Sequence, residues 1–237
     1  RSNTARNMTQ ATNHFLGQLS EQELDEVQRD FNSPHRLGWH FIPKAERKGL
    51  QIRDMDQRQR RSAHALLESA LSELGYDKSV KIMKLEAILR ALQQDPDSGI
   101  VRDRYRYYVT VFGQPSVEGV WGLSIEGHHL SLNFVVDDGR VTSTTPMFMG
   151  SNPSVVQEDY DFGFSRGDRV LGREEELAFA LLGSLTADQL QVAVVADKAP
   201  REIRNAGQPQ PPAEPAVGLA ASDLNGEQLA VLRSLVE

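Results

Sequence analysis

Cysteine is absent from the 237 residues. That excludes disulfides, thiolate nucleophiles and Cys-ligated zinc or iron–sulfur sites. No apolar run approaches the roughly 20 residues that a membrane-crossing helix needs, so no membrane span is expected. A glycine-rich phosphate loop, a nucleophile elbow, a two-histidine helical zinc motif and a dinucleotide fingerprint are all missing, and the commonest enzyme classes go with them. Basic charge is scarce too: 26 Lys and Arg face 33 Asp and Glu, a net charge of -7. The one basic cluster, Arg58-Gln59-Arg60-Arg61, shares its predicted helix with Glu68 and reads as a solvated face, so nucleic acid is not an expected partner. The chain begins at Arg1 rather than Met, a start that removal of an export signal or cloning would equally leave, so a periplasmic or extracellular destination and a cytoplasmic one both stay open.

What is present reads as a globular chain, with 39% hydrophobic and 25% charged residues of both signs. Residues 7–29 have helical character, with a capping box at Ser20 and Glu23. Similar starts recur at Thr186 with Gln189 and at Asn225 with Gln228. Between 31 and 55 no period is sustained, yet Phe31, Trp39, Phe41 and Ile42 are too apolar for a solvated loop. Asp56 caps a helix whose stripe runs Ala63, Leu66, Leu67, Ala70, Leu71 and Leu74, with Gly75 as its stop. A further helix, about Ser79 to Gln94, carries Ile82, Leu85, Leu89 and Leu92 on one face and ends at Asp95-Pro96-Asp97-Ser98-Gly99.

The middle of the chain turns to strands. Residues 105–112, 120–125, 128–136 and 141–145 are rich in β-branched and aromatic side chains, and Asp138-Gly139 marks a hairpin. Helices follow at 174–185 and 187–196, then the Pro-rich stretch 205–215 and a last amphipathic helix. The expected fold is α+β: an antiparallel sheet of three or four strands packed with flanking helices. Residues 1–204 would form one domain, 205–215 a linker and 216–237 a helix that opens a segment continuing past Glu237.

The chemistry concentrates in "EGHHLSLNF", residues 126–134. Strand periodicity puts His129, Ser131 and Asn133 on one face and His128, Leu130, Leu132 and Phe134 on the other, with a bulge expected at Gly127. Polar side chains in register on a covered face suit the floor of a pocket. Imidazole can ligate a metal or carry a proton, while hydroxyl and amide groups orient a substrate. His40, in "GWHFIP", lies between aromatics as a loop anchor or pocket wall.

Several stretches resemble a family of bacterial and fungal proteins known as a domain of unknown function. They are "FLGQLSEQE", "WHFIP", "KGLQIRDMD", "QRQRRSAHALLESALSELGY", "IMKLEAIL", "RDRYRYYVTVFGQP", "WGLSIEGHHLSLNF", "TPMFMGSNP" and "EEELAFALLGSL", in order along nearly the whole chain. The resemblance implies export, and a continuation carrying His-x-His and Trp-Arg-Asp elements. Two histidines from there, joined to His128 and His129, would make up a metal site. The chain departs from the family pattern at Leu123-Ser124, where a Trp and an Arg are more usual, which takes away an expected cation beside Glu126.

The resulting expectation is a metal-dependent enzyme, hydrolytic or redox, with Glu126, His129 and Asn133 as catalytic residues. His128 and His129 would hold a divalent transition metal, and Trp39 and His40 would form part of the wall. The alternative is a non-catalytic binding module, in which Ser131 and its neighbours hold a small polar ligand or sugar against Trp39, Trp121 and the tyrosines.

Overall fold

In the computed structural model of the protein, residues 2–93, 99–210 and 213–236 are described. The helix end expected at Gln94, most of the stop at Asp95-Pro96-Asp97-Ser98, Pro211 and Pro212 of the Pro-rich stretch, and Glu237 lie outside them. The chain is α+β and packs as two compact units, one of Arg1–Val155 with Gly207–Pro209 and one of Val156–Ala206 with Gln210–Glu237.

The first unit opens with α1 (Ser2–Leu16) and α2 (Glu21–Val27). The single helical run expected over 7–29 breaks where the cap predicts. Ser20 accepts from the Glu23 amide, and the Glu23 carboxylate accepts from the Ser20 amide at 2.8 Å. β1 (Gln28–Arg29) and β2 (Leu50–Gln51) follow, then α3 (Gln57–Ala70), capped by Asp56, and α4 (Glu73–Leu92). The long stripe expected through Leu74 is therefore two helices. Leu71 is extended, Ser72 accepts from the Gly75 amide at 3.1 Å, and Gly75 sits in the first turn of α4 instead of ending α3. Local side-chain capping wins over the continuing apolar period, and Leu74 is left exposed.

The sheet is larger than three or four strands. β3 (Tyr108–Phe112), β4 (Val120–Gly127), β5 (Leu130–Asp137) and β6 (Arg140–Ser143) form its antiparallel centre, in the order β1-β3-β4-β5-β6. β2 also pairs with β3, and β7 (Met147–Met149) pairs with β5. The β1–β3 pairing is parallel, so the seven-stranded sheet is mixed. The extra strands are two or three residues long, too short for alternation to show in a sequence. The β5–β6 turn uses Asp138 (φ 43) and Gly139 (φ 69), the two left-handed positions that an Asp-Gly hairpin supplies.

Cross-strand pairs sort the side chains of the sheet. Leu123 faces Phe134 and Ile125 faces Leu132, all buried, on one side. Thr110 pairs with Ser124, Ser124 with Asn133, and Glu126 with Ser131, on the other.

The second unit holds α5 (Gly172–Ser184), α6 (Ala187–Ala193) and α7 (Gly226–Val236). Two of its helix starts interlock. Gln189 and Gln228, the side chains that reach back to the caps Thr186 and Asn225, also bond each other at 2.9 and 3.1 Å. Gln228 further donates to the Ser184 carbonyl at 2.8 Å, and this explains how a glutamine is buried there.

Candidate functional site

The adjacent histidines form a turn, not part of a strand. Gly127 pairs with Leu130, so His128 and His129 are the two residues that close the β4–β5 hairpin. His129 takes φ 58, a left-handed conformation that histidine enters more readily than most side chains. Gly127 marks no bulge: β4 and β5 pair without interruption there, and the irregularity in β5 falls between Val135 and Val136. Glycine is needed for another reason, since a Cβ on Gly127 would lie 2.3 Å from the Tyr107 ring. The turn is held from three directions. The Tyr107 hydroxyl donates to the His128 carbonyl, the His129 amide donates to the Phe41 carbonyl, and the Gly150 amide donates to the His129 carbonyl, each at 2.8 Å. Burial pushes the Tyr107 phenol well above its ordinary pKa, which keeps it a hydrogen-bond donor.

His128 is buried against α4. Its Nδ1 makes a short contact with the Glu86 carboxylate, and an Arg102 guanidinium nitrogen lies 3.0 Å from the same Nδ1. A carboxylate only accepts and a guanidinium only donates, so Nδ1 cannot serve both. The shorter Glu86 contact, with Arg102 3.7 Å from that same carboxylate, is best satisfied by an Nδ1–H that donates to Glu86. Arg102 is anchored separately, donating to Gln93 at 2.7 Å. In this tautomer Nε2 carries the lone pair, and it has no hydrogen-bond partner among the described residues.

His129 packs against β7 and the His128 ring. Its ring packs edge-on to Phe148 and 4.0 Å from the His128 ring, and its Nδ1 is buried with no partner among the described residues. Burial, and then the electrostatic influence of the neighbouring His128 ring and Arg102, push its pKa down to about 4.

Glu126 is enclosed by the segment 38–48. Lys48 Nζ lies 2.7 Å and an Arg47 guanidinium nitrogen 3.5 Å from its carboxylate, with all three side chains at most 5% exposed. Lys48 also donates to the Gly38 carbonyl at 2.8 Å, and Arg47 to the carbonyls of His40 and Ile42. The segment is thereby closed into a strap over the polar side of the sheet. Burial pulls both cations below their ordinary pKa values, and Glu126 opposes the shift. The cation that Leu123-Ser124 does not supply comes instead from this loop, and Glu126 stands in an ion cluster.

Ser131 and Asn133 share a face, as their spacing predicts. Asn133 Nδ2 donates to Ser131 at 3.2 Å and to the Pro146 carbonyl at 2.8 Å, which ties β5 to the turn before β7. Trp39 is buried, with Nε1 donating to the Gln208 carbonyl at 2.7 Å, and His40 Nδ1 accepts from the Phe41 and Ile42 amides. Phe41 stacks on Phe148 with ring centroids 3.8 Å apart. Trp121 is fully buried on the opposite, apolar face of the sheet.

A cavity of about 230 Å³ opens beside His128. Lys44, Arg47, Glu86, Arg106, Tyr107 and Tyr108 line it with His128, along with apolar residues of 99–101. Of the residues singled out by number from the sequence, His128 reaches this wall, as do Tyr107 and Tyr108 of the tyrosines; Glu126, His129, Ser131, Asn133, Trp39, His40 and Trp121 do not. Sequence reasoning missed Glu86, Arg47, Arg102 and Arg106. Glu86 left a signal: it falls at i+4 from Ile82, inside the apolar stripe of α4, where a lone carboxylate needs a partner. Among the described residues no three His, Asp or Glu side chains converge as a metal site. His128 and His129 supply two imidazoles at most, with the Arg102 charge beside them.

No curated protein and no solved structure matches the chain. The family model described as "Protein of unknown function (DUF3500)" matches residues 1–237, and the chain belongs to that family.

Proposed function

We propose that the chain is an enzyme that transfers a proton on a small polar substrate bound in the cavity beside His128. His128 would be the transferring group and Glu86 the partner that fixes its ring. The observation that carries this reading is the buried Glu86–His128 contact at the cavity wall. A carboxylate on Nδ1 selects one tautomer, directs Nε2 as a base, and offsets the charge that the ring gains when it takes the proton. Tyr107 and Glu86 hold the histidine at backbone and ring, so the base is preorganised before any ligand enters. A metal-assisted version of the site would use His128 and His129 as ligands, and its further donors would have to come from beyond the described residues.

The test is turnover together with tautomer. Incubating the protein in D₂O with a mixture of small carboxylates, phosphates and sugars should consume or deuterate at least one of them, as read by mass spectrometry. His128→Gln should lower that rate by about 10²-fold or more. Nitrogen NMR of the neutral ring should show the proton on Nδ1. Full turnover in His128→Gln, or a proton resident on Nε2, would sink the proposal; a ligand bound with no product formed would favour the binding-module reading.

A further inference from the structure

The charges around this cavity are lopsided. Lys44, Arg47 and Arg106 line it, and Lys48 and Arg102 stand just behind, against two carboxylates, Glu86 and Glu126. The whole chain carries a net charge of -7, so cations are concentrated here against the trend of the molecule. Both carboxylates are committed: Glu126 to Lys48 and Arg47, and Glu86 to His128 and Arg102. Among the described residues no carboxylate pairs with Arg106 or Lys44. Arg106 is instead half-buried and braced by neutral oxygens, donating to the Ala45 carbonyl and, at 3.4 Å, to the Tyr108 hydroxyl.

We infer that the ligand of this cavity carries an oxyanion, a carboxylate or a phosphate, which Arg106 and Lys44 hold within reach of His128. This rests on the proton-transfer reading only for the identity of the site. The recognition argument stands on charge and shape. A guanidinium held by its neighbours offers a planar fork of donors that matches a carboxylate or phosphate, and a partly desolvated fork binds an anion more strongly than a mobile one does. The cavity volume of about 230 Å³ lies below the ~300 Å³ at which drug-sized pockets begin, so the ligand is a small metabolite rather than a polymer segment. The tyrosines and the apolar residues of 99–101 leave room for a short uncharged body beyond the anionic group.

The experiment is calorimetric titration of the full chain at fixed ionic strength with inorganic phosphate, acetate and succinate, and with acetamide and glycerol as neutral counterparts. At least one oxyanion should bind saturably and shift the His128 ring signals, and the neutral probes should not. Arg106→Gln should weaken that binding at least tenfold. Lys44→Gln, at an exposed position that folding tolerates, should weaken it less but in the same direction. The carboxylate and phosphate arms tell the two sources of the anion apart. Equal binding of neutral probes, or affinities unmoved in both variants, would overturn the inference, as would the absence of binding by every oxyanion. None of these outcomes touches the His128 tautomer or the effect of His128→Gln on turnover, so the two proposals fail separately.

Discussion

The two faces of β3, β4 and β5 are buried alike and built from opposite chemistry. On one, Trp121, Leu123, Ile125, Leu132 and Phe134 form an apolar layer; on the other, Thr110, Ser124, Glu126 and Ser131 stand at the same depth. Burial of the first face is favourable in itself, at about 25 cal/mol for each Å² of apolar surface taken from water. Burial of the second opposes folding unless each polar atom finds a partner. Those partners come from distant segments: Lys48 and Arg47 for Glu126, and the Pro146 carbonyl for Asn133. The polar face therefore depends on the strap and the turn before β7 in a way that the apolar face does not. Local features that oppose stability tend to be kept where they serve a site, and the His128 turn lies at the end of this face.

The sharpest way to break the comparison is to cut each face once. Glu126→Ala leaves Arg47 and Lys48 buried without their counter-charge and should cost about 3–5 kcal/mol. Leu132→Ala, fully buried on the other face, should cost about 2–5 kcal/mol through lost burial and a cavity. The two differ in rescue. Lys48→Met added to Glu126→Leu should recover part of the first loss, because it removes one of the two uncompensated cations and leaves only Arg47. Urea unfolding of the three variants decides it. If Glu126→Ala alone costs less than about 1 kcal/mol, the strap opens to water readily and the face is not sealed.

A smaller effect follows from His129. Its folded pKa of about 4 lies below the ordinary 6.5, so between those values the unfolded chain binds the proton more readily. Stability is then fully present above about pH 6.5, falls as pH drops towards 4, and is flat for this group below that. The group is only partly buried, so solvent screening reduces the full shift to about 1–2 kcal/mol. Burial is the larger cause of the shift, and the neighbouring His128 and Arg102 add to it. Unfolding curves at pH 7 and pH 4.5 should show that excess loss in the wild type and not in His129→Asn, a residue that also accepts the left-handed turn. Equal pH dependence in both would assign the loss to other groups.

What was legible in the sequence follows the range of each interaction. Ser20 with Glu23, Asp56, Thr186 with Gln189, Asn225 with Gln228, and Asp138-Gly139 act over two to four residues, and each marks the boundary it predicts. Ser131 and Asn133 share a face because the period of two holds through β5. The histidine turn was hidden, since His128-His129 has neither the asparagine nor the glycine that announces a two-residue hairpin. The partners of the site were hidden further. Glu86 lies 42 residues from His128, and Arg47 lies 79 residues from Glu126, in a loop with no period to show which way a side chain points. Composition drew attention to residues 126–134 as a strand, and only folding made His128-His129 a turn and brought the ionic groups to it.

The smallest effect tests the polar face most directly. Thr110 Oγ1 and Ser124 Oγ are buried neighbours across β3 and β4, and neither has a hydrogen-bond partner among the described residues. Such a hydroxyl carries its desolvation cost with nothing to offset it, whereas valine has nearly the same shape and no polar atom. Thr110→Val should therefore leave stability unchanged or raise it by about 1 kcal/mol. Ser124→Ala should do the same, minus the small loss from a shrunken side chain. If Thr110→Val instead lowers stability by more than about 1 kcal/mol, the hydroxyl is hydrogen-bonded in solution. The polar face is then a fully satisfied network like that of Asn133, and its polar atoms are structural. If the substitution is neutral for folding but alters anion binding at Arg106, two residues before β3, the face transmits to the cavity. Its hydroxyls then belong with the site rather than with the core.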